Sequence, residues 1–292
     1  MGRLSRFKIM DLFKNQINEA LSEQDKAIFN FTDISRVLDE NRHEWRLPIS
    51  TDTNDFLEFL ISKKIVDELE IESPYAKNTK YIFKKNLSVF EVAQSINCGS
   101  YLSHYTAVFL HDLTNNIVKN TYVTKEMGNK EKSNSKLELE QKNIDAAFSK
   151  PMRVSNTFAL YKDHRIFLLN GKFSNNLGII NKNGLYLTNL ERTLIDIVVR
   201  PDYSGGVFEV LKVFQNAKGK ISVNKLAAIL KSLDYVYPYH QAIGFYLEKS
   251  GYKENVIRLM EKQPIKYDFY LSYNMKNKKY SDRWKLFYPE GL

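Results

Sequence analysis

The segment from Leu187 to Pro201, LTNLERTLIDIVVRP, constrains the fold more than any other part of the sequence. Thr188 and Glu191 have the T-x-x-E spacing of a capping box, which begins a helix. Pro201 ends the helix, because proline disfavours helical backbone at the residue before it. The apolar residues recur at helical spacing and form a wide face: Leu190, Leu194, Ile195, Ile197 and Val198. The segment therefore predicts one complete helix packed on a core.

Strand-like sequence precedes this helix, and further helices follow it. Residues 153–187 have strand character, with turns at Asn170-Gly171, Asn175-Asn176 and Asn183-Gly184. Helical patterns occupy residues 207–216, 223–232, 239–250 and 254–261, and aromatic strand-like runs cover 267–273 and 284–288. Upstream, a capping box at Ser88 and Glu91 begins a helix that ends near Gly99, and further helices are predicted over 100–113 and 137–148 around a polar loop at 125–136. Residues 89–292 are therefore predicted to form a larger mixed α+β domain.

The front of the chain has a different layout. An amphipathic pattern predicts a helix over residues 3–22, Thr32 is a plausible N-cap for a second helix, and a third helix begins within residues 51–54. Two short strand-like runs, Ile65–Ile71 and Lys80–Phe83, flank a turn of small and polar residues. Three helices followed by a hairpin is the order of a winged helix-turn-helix, so residues 1–88 are predicted to be a DNA-binding domain of that class, and the whole chain to be α+β.

The positive charge of the chain is unevenly distributed. The formal net charge is +9, yet residues 1–90 contain 14 Lys and Arg against 15 Asp and Glu, and residues 91–292 contain 29 against 19. A basic surface on the second domain favours nucleic acid or an acidic protein partner. A solvated, lysine-rich surface without a partner explains the charge equally well.

Composition also limits the cellular compartment in which the protein is expected. The single cysteine, Cys98, excludes an internal disulfide, and no apolar run has the length of a transmembrane helix. We therefore expect a cytoplasmic protein with no membrane partner.

Enzyme motifs are scarce. The sequence contains no phosphate-binding loop, no H-E-x-x-H, no zinc-type spacing of His and Cys, and no G-x-S-x-G. We accordingly predict no catalysis, no cofactor and no metal. One alternative stays open, because the E-x-K sequence at Glu140 and Lys142 is the tail of a metal-dependent nuclease pattern.

Candidate DNA contacts lie around the third helix and the hairpin. The start of a recognition helix faces base edges, and basic side chains nearby hold phosphates. These considerations select Arg42, Arg46, Ser50, Thr51, Thr53, Asn54, Lys63, Lys64, Lys77 and Lys80. Thr51 or Thr53 also fits a purely structural role as the helix cap.

The first strand of the hairpin argues against DNA. Asp67, Glu68, Glu70 and Glu72 would be repelled by a phosphate backbone if that strand faced the duplex. The alternative is a winged helix that mediates protein contacts, within a non-catalytic module that binds protein or RNA.

Five runs of the sequence resemble one protein family. They are YLSHYTAVFLHDLT from Tyr101, LTNLERTLIDIVVRP from Leu187, YSGGV from Tyr203, YPYHQAIGFYLE from Tyr237 and WKLFYP from Trp284. They resemble AbiEi-type antitoxins of type IV toxin–antitoxin systems and are spread over most of residues 88–289. The first 90 residues match that family in layout only.

The resemblance implies a bacterial regulator paired with a toxin. Members of the family carry an N-terminal winged helix that represses their own operon by binding operator DNA, expected here as an inverted repeat. Their C-terminal domain counteracts an AbiEii-type nucleotidyltransferase toxin, as a functional rather than a stable physical partner. RNA is a further partner that the basic charge of the second domain would suit.

Candidates for antitoxicity come from the second domain. Arg192 and Asp196 lie four residues apart and can pair on one helix face, which is also the structural explanation for both. Arg192 and Arg153 are retained because arginine makes planar contacts to phosphate and carboxylate groups. His240 and Gln241 open a predicted helix beside several tyrosines, and are retained as hydrogen-bonding groups.

Overall fold

The computed structural model describes residues 4–24, 26–72, 78–83, 86–128 and 139–292. The helices in these ranges are α1 (Arg6–Leu12), α2 (Lys14–Glu23), α3 (Phe31–Asn41), α4 (Thr53–Ser62), α5 (Val89–Ile96), α6 (His104–Leu110), α7 (Gln141–Phe148), α8 (Leu190–Val199), α9 (Val207–Asn216), α10 (Val223–Leu233), α11 (Tyr239–Lys249) and α12 (Glu254–Glu261). The strands are β1 (Ile28–Phe29), β2 (Asp67–Glu72), β3 (Asn78–Ile82), β4 (Tyr101–Leu102), β5 (Asn120–Glu126), β6 (Phe158–Tyr161), β7 (His164–Gly171), β8 (Ile179–Lys182), β9 (Leu185–Thr188), β10 (Phe269–Tyr270), β11 (Lys278–Ser281) and β12 (Leu286–Pro289). The protein is thus mixed α+β, as the sequence predicts at this level. None of the helices in the described ranges has the length and apolar character that crossing a lipid bilayer requires.

The chain divides into two compact units. The first comprises Met1–Cys98 and Asn156–Phe167, and the second comprises Gly99–Ser155 and Leu168–Leu292. The sequence placed a single boundary at residue 88. The first unit also includes β6, because β6 pairs antiparallel with β2 through Ala159 and Ile71.

The first unit packs five helices against short strands. Its strand order is β1-β3-β2-β6, with antiparallel pairing of β1 with β3, of β3 with β2 and of β2 with β6. Aromatic side chains fill the core, notably Trp45, Phe56 and Phe59, which are almost fully buried. The strand carrying the acidic residues, β2, is therefore paired along both edges rather than forming half of an isolated hairpin.

In the second unit, strands and other helices enclose α8. Its main strands run in the order β7-β5-β4-β9-β8, and a second sheet has the order β10-β12-β11. The helix α8 packs against α6, α9, α10 and α11. Every residue from Glu191 to Val198 is buried, including the three charged ones. The predicted helix is therefore correct, but its polar face is as enclosed as its apolar face.

The start of α8 corrects one sequence prediction. Asn189, not Thr188, is the N-cap, and its side chain accepts a hydrogen bond from the backbone N–H of Arg192 at 2.9 Å. Thr188 ends β9 and its hydroxyl is hydrogen-bonded to that of Thr193 at 2.7 Å. The carboxylate of Glu191 instead accepts from the backbone of Ser222 and pairs with a lysine on α10, so it joins two helices rather than closing a capping box.

Other helix boundaries differ for identifiable reasons. The predicted helix over 100–113 begins only at His104, because Tyr101 and Leu102 pair with β5 and Leu102 pairs with Leu187 of β9. The predicted helix over 3–22 is interrupted at Phe13, where neither glycine nor proline marks a break. The capping box at Ser88 and Glu91 is confirmed.

Candidate functional site

A cavity of about 360 Å³ lies in the second unit. Its walls come from β4, β5, β7, α8 and the segments that follow α7 and α10. Four cationic side chains and one carboxylate line it: Arg153, Lys172, Arg192, Arg200 and Asp196. Four rings line it as well: Tyr101, His104, Tyr203 and Tyr235. The sequence therefore named three of the charged residues that the fold brings together.

Arg192 and Asp196 form a buried ion pair one helical turn apart on α8. Nε of Arg192 donates to Oδ1 of Asp196 at 2.8 Å, and the two residues are 4% and 6% exposed. Burial, the largest single effect, lowers the pKa of the guanidinium, but Asp196 together with Tyr235 and Tyr101 outweighs it and raises the arginine pKa. The pair is thus charged and enclosed, which makes each partner dependent on the other.

The remaining donors of Arg192 hold the loop between β7 and β8. Nη1 donates to the carbonyl oxygen of Leu177 at 2.9 Å and to Oγ of Ser174 at 3.3 Å. The Ser174 hydroxyl in turn donates to the carboxylate of Glu126, which also accepts from the Ser174 backbone N–H at 2.7 Å. At Gly178 the backbone has φ +79°, and an added Cβ would lie 2.9 Å from Cβ of Arg192. Glycine therefore lets the loop approach the arginine closely.

His104 occupies an unusual position on the cavity wall. Its backbone has φ +50°, a conformation that non-glycine residues seldom adopt and that occurs more often at functional sites. Its Nδ1 is hydrogen-bonded to Ser103 Oγ at 2.9 Å, and that hydroxyl reaches Thr124 at 2.7 Å. The ring packs edge-on against Tyr203, with 5.4 Å between ring centroids. Burial lowers the pKa of His104 to about 4, so the imidazole is neutral at neutral pH.

Two tyrosines of the cavity, Tyr101 and Tyr235, keep their protons at neutral pH. Burial raises the pKa of both Tyr101 and Tyr235, with the nearby Asp196 acting in the same direction. The hydroxyl of Tyr203 accepts a hydrogen bond from the backbone N–H of Ser155 at 2.7 Å, which leaves its own proton for another acceptor. The Tyr203 hydroxyl can therefore donate a hydrogen bond to a ligand, whereas the Tyr101 hydroxyl donates to Oε1 of Glu126 at 3.5 Å.

The two outermost arginines differ from Arg192. Among the described residues, neither Arg153 nor Arg200 forms an ion pair with a carboxylate. Arg200 donates to the backbone oxygen of Arg153 at 3.2 Å and lies 6.0 Å from the centroid of the Tyr203 ring. Lys172, in contrast to these arginines, is held by two backbone groups: its Nζ donates to the carbonyl oxygens of Leu233 and Asp234 at the end of α10. The cavity therefore contains more positive than negative charge.

The structure places His240 and Gln241 away from this cavity. Both are buried on α11. Nε2 of Gln241 donates to the backbone oxygens of Trp284 at 2.6 Å and Tyr267 at 2.9 Å, so it anchors the chain segments around β10 and β12. Burial lowers the pKa of His240 to about 4, despite a hydrogen bond to the backbone of Pro264. Their positions indicate a structural role.

The candidate DNA contacts of the first unit fall into two groups. Arg46, Ser50, Asn54 and Lys64 are exposed, and Lys63 is exposed but pairs with Asp11 at 2.5 Å. Lys80 is half-buried on β3, and Lys77 lies outside the described residues.

Three further candidates are held within the fold. Arg42 donates to the backbone oxygens of Pro48 and Thr51, which fixes the connection between α3 and α4. Thr51 is 0% exposed, so it is withdrawn from the candidate DNA contacts. Thr53 is half-buried and its hydroxyl donates to Ser35 Oγ at 3.1 Å. Asp52, rather than a threonine, caps α4, because its carboxylate accepts the backbone N–H of Asp55.

The residues of the nuclease alternative lie at the start of α7. Glu140 and Lys142 are exposed and pair with each other at 2.6 Å. Within the part of the chain that the structure describes, no group of three or more His, Cys, Asp or Glu side chains is arranged to hold a metal ion.

Sequence reasoning missed His104, Arg200, Lys172 and the cavity tyrosines. Two signals were present. Tyr101 and His104 lie in the first of the five similar runs, and Arg200 precedes the proline that ends α8. The position of Tyr235 had no comparable signal, because it follows α10 and reaches the cavity only through the tertiary fold.

The fold has a neighbour among solved structures. The crystal structure of the RV2827C protein from Mycobacterium tuberculosis aligns with a TM-score of 0.58 at 11% sequence identity, over 94% of this chain and 91% of that chain. No protein-family model matches the sequence, and no curated protein matches it. At this identity the likeness shows a shared fold alone.

Proposed function

We propose that this chain is the antitoxin of an AbiEi-type, type IV toxin–antitoxin pair. One observation carries the proposal: three of the runs behind the family resemblance converge on one cavity. Tyr101 and His104 come from the first run, Arg192 and Arg200 from the second, and Tyr203 from the third. The first run lies far from the other two in the chain, and their meeting around one charged cavity is better explained by a shared site than by packing alone.

The fourth and fifth runs contact each other within the second unit. Gln241 of the fourth run donates to the backbone of Trp284 in the fifth. Gly244 allows the indole of Trp284 to lie against the backbone of α11, since an added Cβ would meet its ring at 2.2 Å. All five runs therefore belong to one compact unit, which supports assigning antitoxicity to that unit.

The proposed mechanism assigns no catalysis to this chain. The second unit opposes a nucleotidyltransferase toxin by binding an acidic group that the toxin's action requires or produces. Arginines suit this role because a guanidinium binds phosphate or carboxylate through two parallel hydrogen bonds. Arg153 and Arg200 bind the acidic group in this proposal, whereas Arg192 pairs with Asp196 and forms part of the cavity wall.

The first unit is proposed to repress the operon as a winged helix-turn-helix. The order α3, α4 and the β2–β3 hairpin matches that class, with α4 as the recognition helix. Asn54 at the start of α4 is exposed and suits adenine, and Arg46 and Lys64 suit phosphates. Two copies of the chain would match an inverted-repeat operator.

The acidic strand limits how this unit meets DNA. Asp67, Glu68 and Glu70 are exposed on β2. A phosphate backbone would repel them. The proposal therefore places α4 and the connection before it against the duplex, and keeps β2 away from it.

The experiment is rescue from the toxin. Cells that express an AbiEii-type nucleotidyltransferase would be supplied with the full chain, with an Arg153→Gln/Arg200→Gln variant, or with an Arg258→Gln variant. Arg258 is a matched control, because it is an exposed arginine of the same unit and lies outside the cavity. We expect growth with the native chain and the control, and loss of growth with the double variant. Failure of the native chain to restore growth would overturn the assignment.

A further inference from the structure

The charged groups around the cavity are unbalanced. Arg153, Lys172, Arg192 and Arg200 face a single lining carboxylate, that of Asp196. His104 adds no charge at neutral pH, because burial lowers its pKa to about 4. A further carboxylate, that of Glu126, does not line the cavity and accepts hydrogen bonds from Ser174 and from the hydroxyl of Tyr101. Like charges gathered around a cavity repel one another, and a bound anion removes that repulsion.

The supply of hydrogen-bond donors matches an anion that has several oxygens. Arg153 and Arg200 have guanidinium groups that no described carboxylate occupies. The hydroxyl of Tyr203 accepts a hydrogen bond from a backbone N–H, and no acceptor among the described residues takes its proton. Arginine forks and neutral hydroxyl donors together are the usual partners of a phosphate group.

The aromatic walls and the size of the cavity point to more than a lone phosphate. Tyr101, Tyr203 and Tyr235 line it with ring surface as well as hydroxyl groups. The volume of about 360 Å³ falls in the range of small-molecule sites, roughly 300–1,000 Å³. Bases stack on aromatic side chains. A ligand with a phosphate at one end and a flat ring at the other fits both halves of the lining.

Hydrogen bonds within the protein fix the side chains of the cavity wall without a ligand. Arg192 is fixed by Asp196, Ser174 and Leu177, so its position does not depend on a ligand. His104 is held in a left-handed backbone conformation by buried hydrogen bonds through Ser103. A site whose groups are already ordered loses less entropy on binding.

We propose that this cavity binds a nucleoside monophosphate, with the phosphate between Arg153 and Arg200 and the base against the tyrosines. The inference rests on the proposed function in one respect, since it names the class of ligand of the same cavity. It is tested without any toxin, so its failure is separate from a failure of rescue.

The experiment measures binding to the full chain by isothermal titration calorimetry. The probes are AMP, GMP, CMP and UMP, with adenosine and inorganic phosphate as partial ligands. We expect at least one nucleotide to bind, inorganic phosphate to bind about tenfold more weakly or less, and adenosine to give no heat. The Arg200→Gln variant should weaken nucleotide binding by about tenfold or more, whereas Arg258→Gln should not change it.

Each other result would overturn the assignment. No binding of any nucleotide would refute the site. Equal binding of phosphate and the nucleotides would refute the contribution of the aromatic wall. Unchanged affinity in Arg200→Gln would place the ligand elsewhere. Because Arg200 is exposed, its variant is expected to fold, and the fluorescence of buried Trp284 checks this.

Discussion

Replacing Asp196 with asparagine isolates the electrostatic contribution of the buried pair on α8. The side chain keeps its shape and one oxygen, but Arg192 loses the negative charge 2.8 Å from its Nε. At a separation of about 4 Å between charge centres and an effective dielectric constant of about 20, that attraction is about 4 kcal/mol. Breaking a buried pair by removing one partner costs roughly 3–5 kcal/mol, which agrees. Ser174 and Leu177 supply oxygens to Arg192 but no charge.

The assay is urea unfolding followed by tryptophan fluorescence. Trp45 lies in the first unit and Trp284 in the second, so a Trp45→Phe background makes the signal report the second unit alone. In that background Asp196→Asn should lower the free energy of unfolding by about 3–5 kcal/mol with an unchanged dependence on urea. Arg258→Gln, which removes an exposed arginine, should leave the midpoint where it was.

A double-mutant cycle separates the pair from its surroundings. Arg192→Met leaves the Asp196 carboxylate buried and unpaired, and should cost about as much as Asp196→Asn. Combining Arg192→Met with Asp196→Asn should cost clearly less than the sum of the two single changes, because no unpaired charge remains. A loss below about 1 kcal/mol for Asp196→Asn would refute the reasoning, since that is the magnitude of a pair screened by water.

Three further changes test other parts of the account. From about pH 6.5 down to pH 5 the unfolded chain takes up a proton at His104 that the folded protein excludes, so His104 should lower the free energy of unfolding by about 2 kcal/mol. In urea titrations His104→Gln should reduce the pH dependence by that amount and leave the contributions of His240 and His111, whose pKa values burial also lowers. Gly244→Ala would place a methyl group 2.2 Å from an indole ring and should destabilise the second unit by roughly 1–3 kcal/mol or more, whereas Gly128→Ala, with nothing within 4 Å, should not. In gel-shift assays, Asn54→Ala should weaken binding to the operator about tenfold or more. Arg46→Ala should weaken binding to all DNA sequences, and should reduce the slope of log affinity against log salt concentration by about one. Unchanged binding by both variants would refute α4 as the recognition helix.

The sequence predicted helices correctly where the residues that begin and end them lie next to the helix in the chain. Residues 207–216 and 254–261 were placed as the structure has them, and the capping box at Ser88 is present. The turn at Asn183-Gly184 joins β8 to β9 with both residues at positive φ, as a tight hairpin requires. These features depend on residues close together in the chain.

Non-local pairing explains most of the misplaced elements. Tyr101 and Leu102 have a helical pattern around them, yet they form β4 because strands β5 and β9 lie on either side. The cap of α8 is Asn189 because the hydroxyl of Thr188 is engaged with Thr193. Local propensity alone does not contain either contact.

The candidate site was predicted in part for the same reason. Arg153, Arg192 and Asp196 were selectable from their residue types and spacing. Arg200 and Tyr235 gain their significance only from the fold, which brings the ends of α8 and α10 to one cavity. No pattern in the sequence indicated that the charged residues would share a cavity.

The two proposed activities should be separable by single substitutions, one in each unit. The toxin-rescue assay and the operator gel-shift assay would be run on the same two full-length variants, with the chain expressed from an unrelated promoter. We predict that Arg200→Gln abolishes rescue and retains operator binding, whereas Asn54→Ala retains rescue and weakens operator binding. Full rescue by Arg200→Gln would contradict the claim that the cavity of the second unit is the working site.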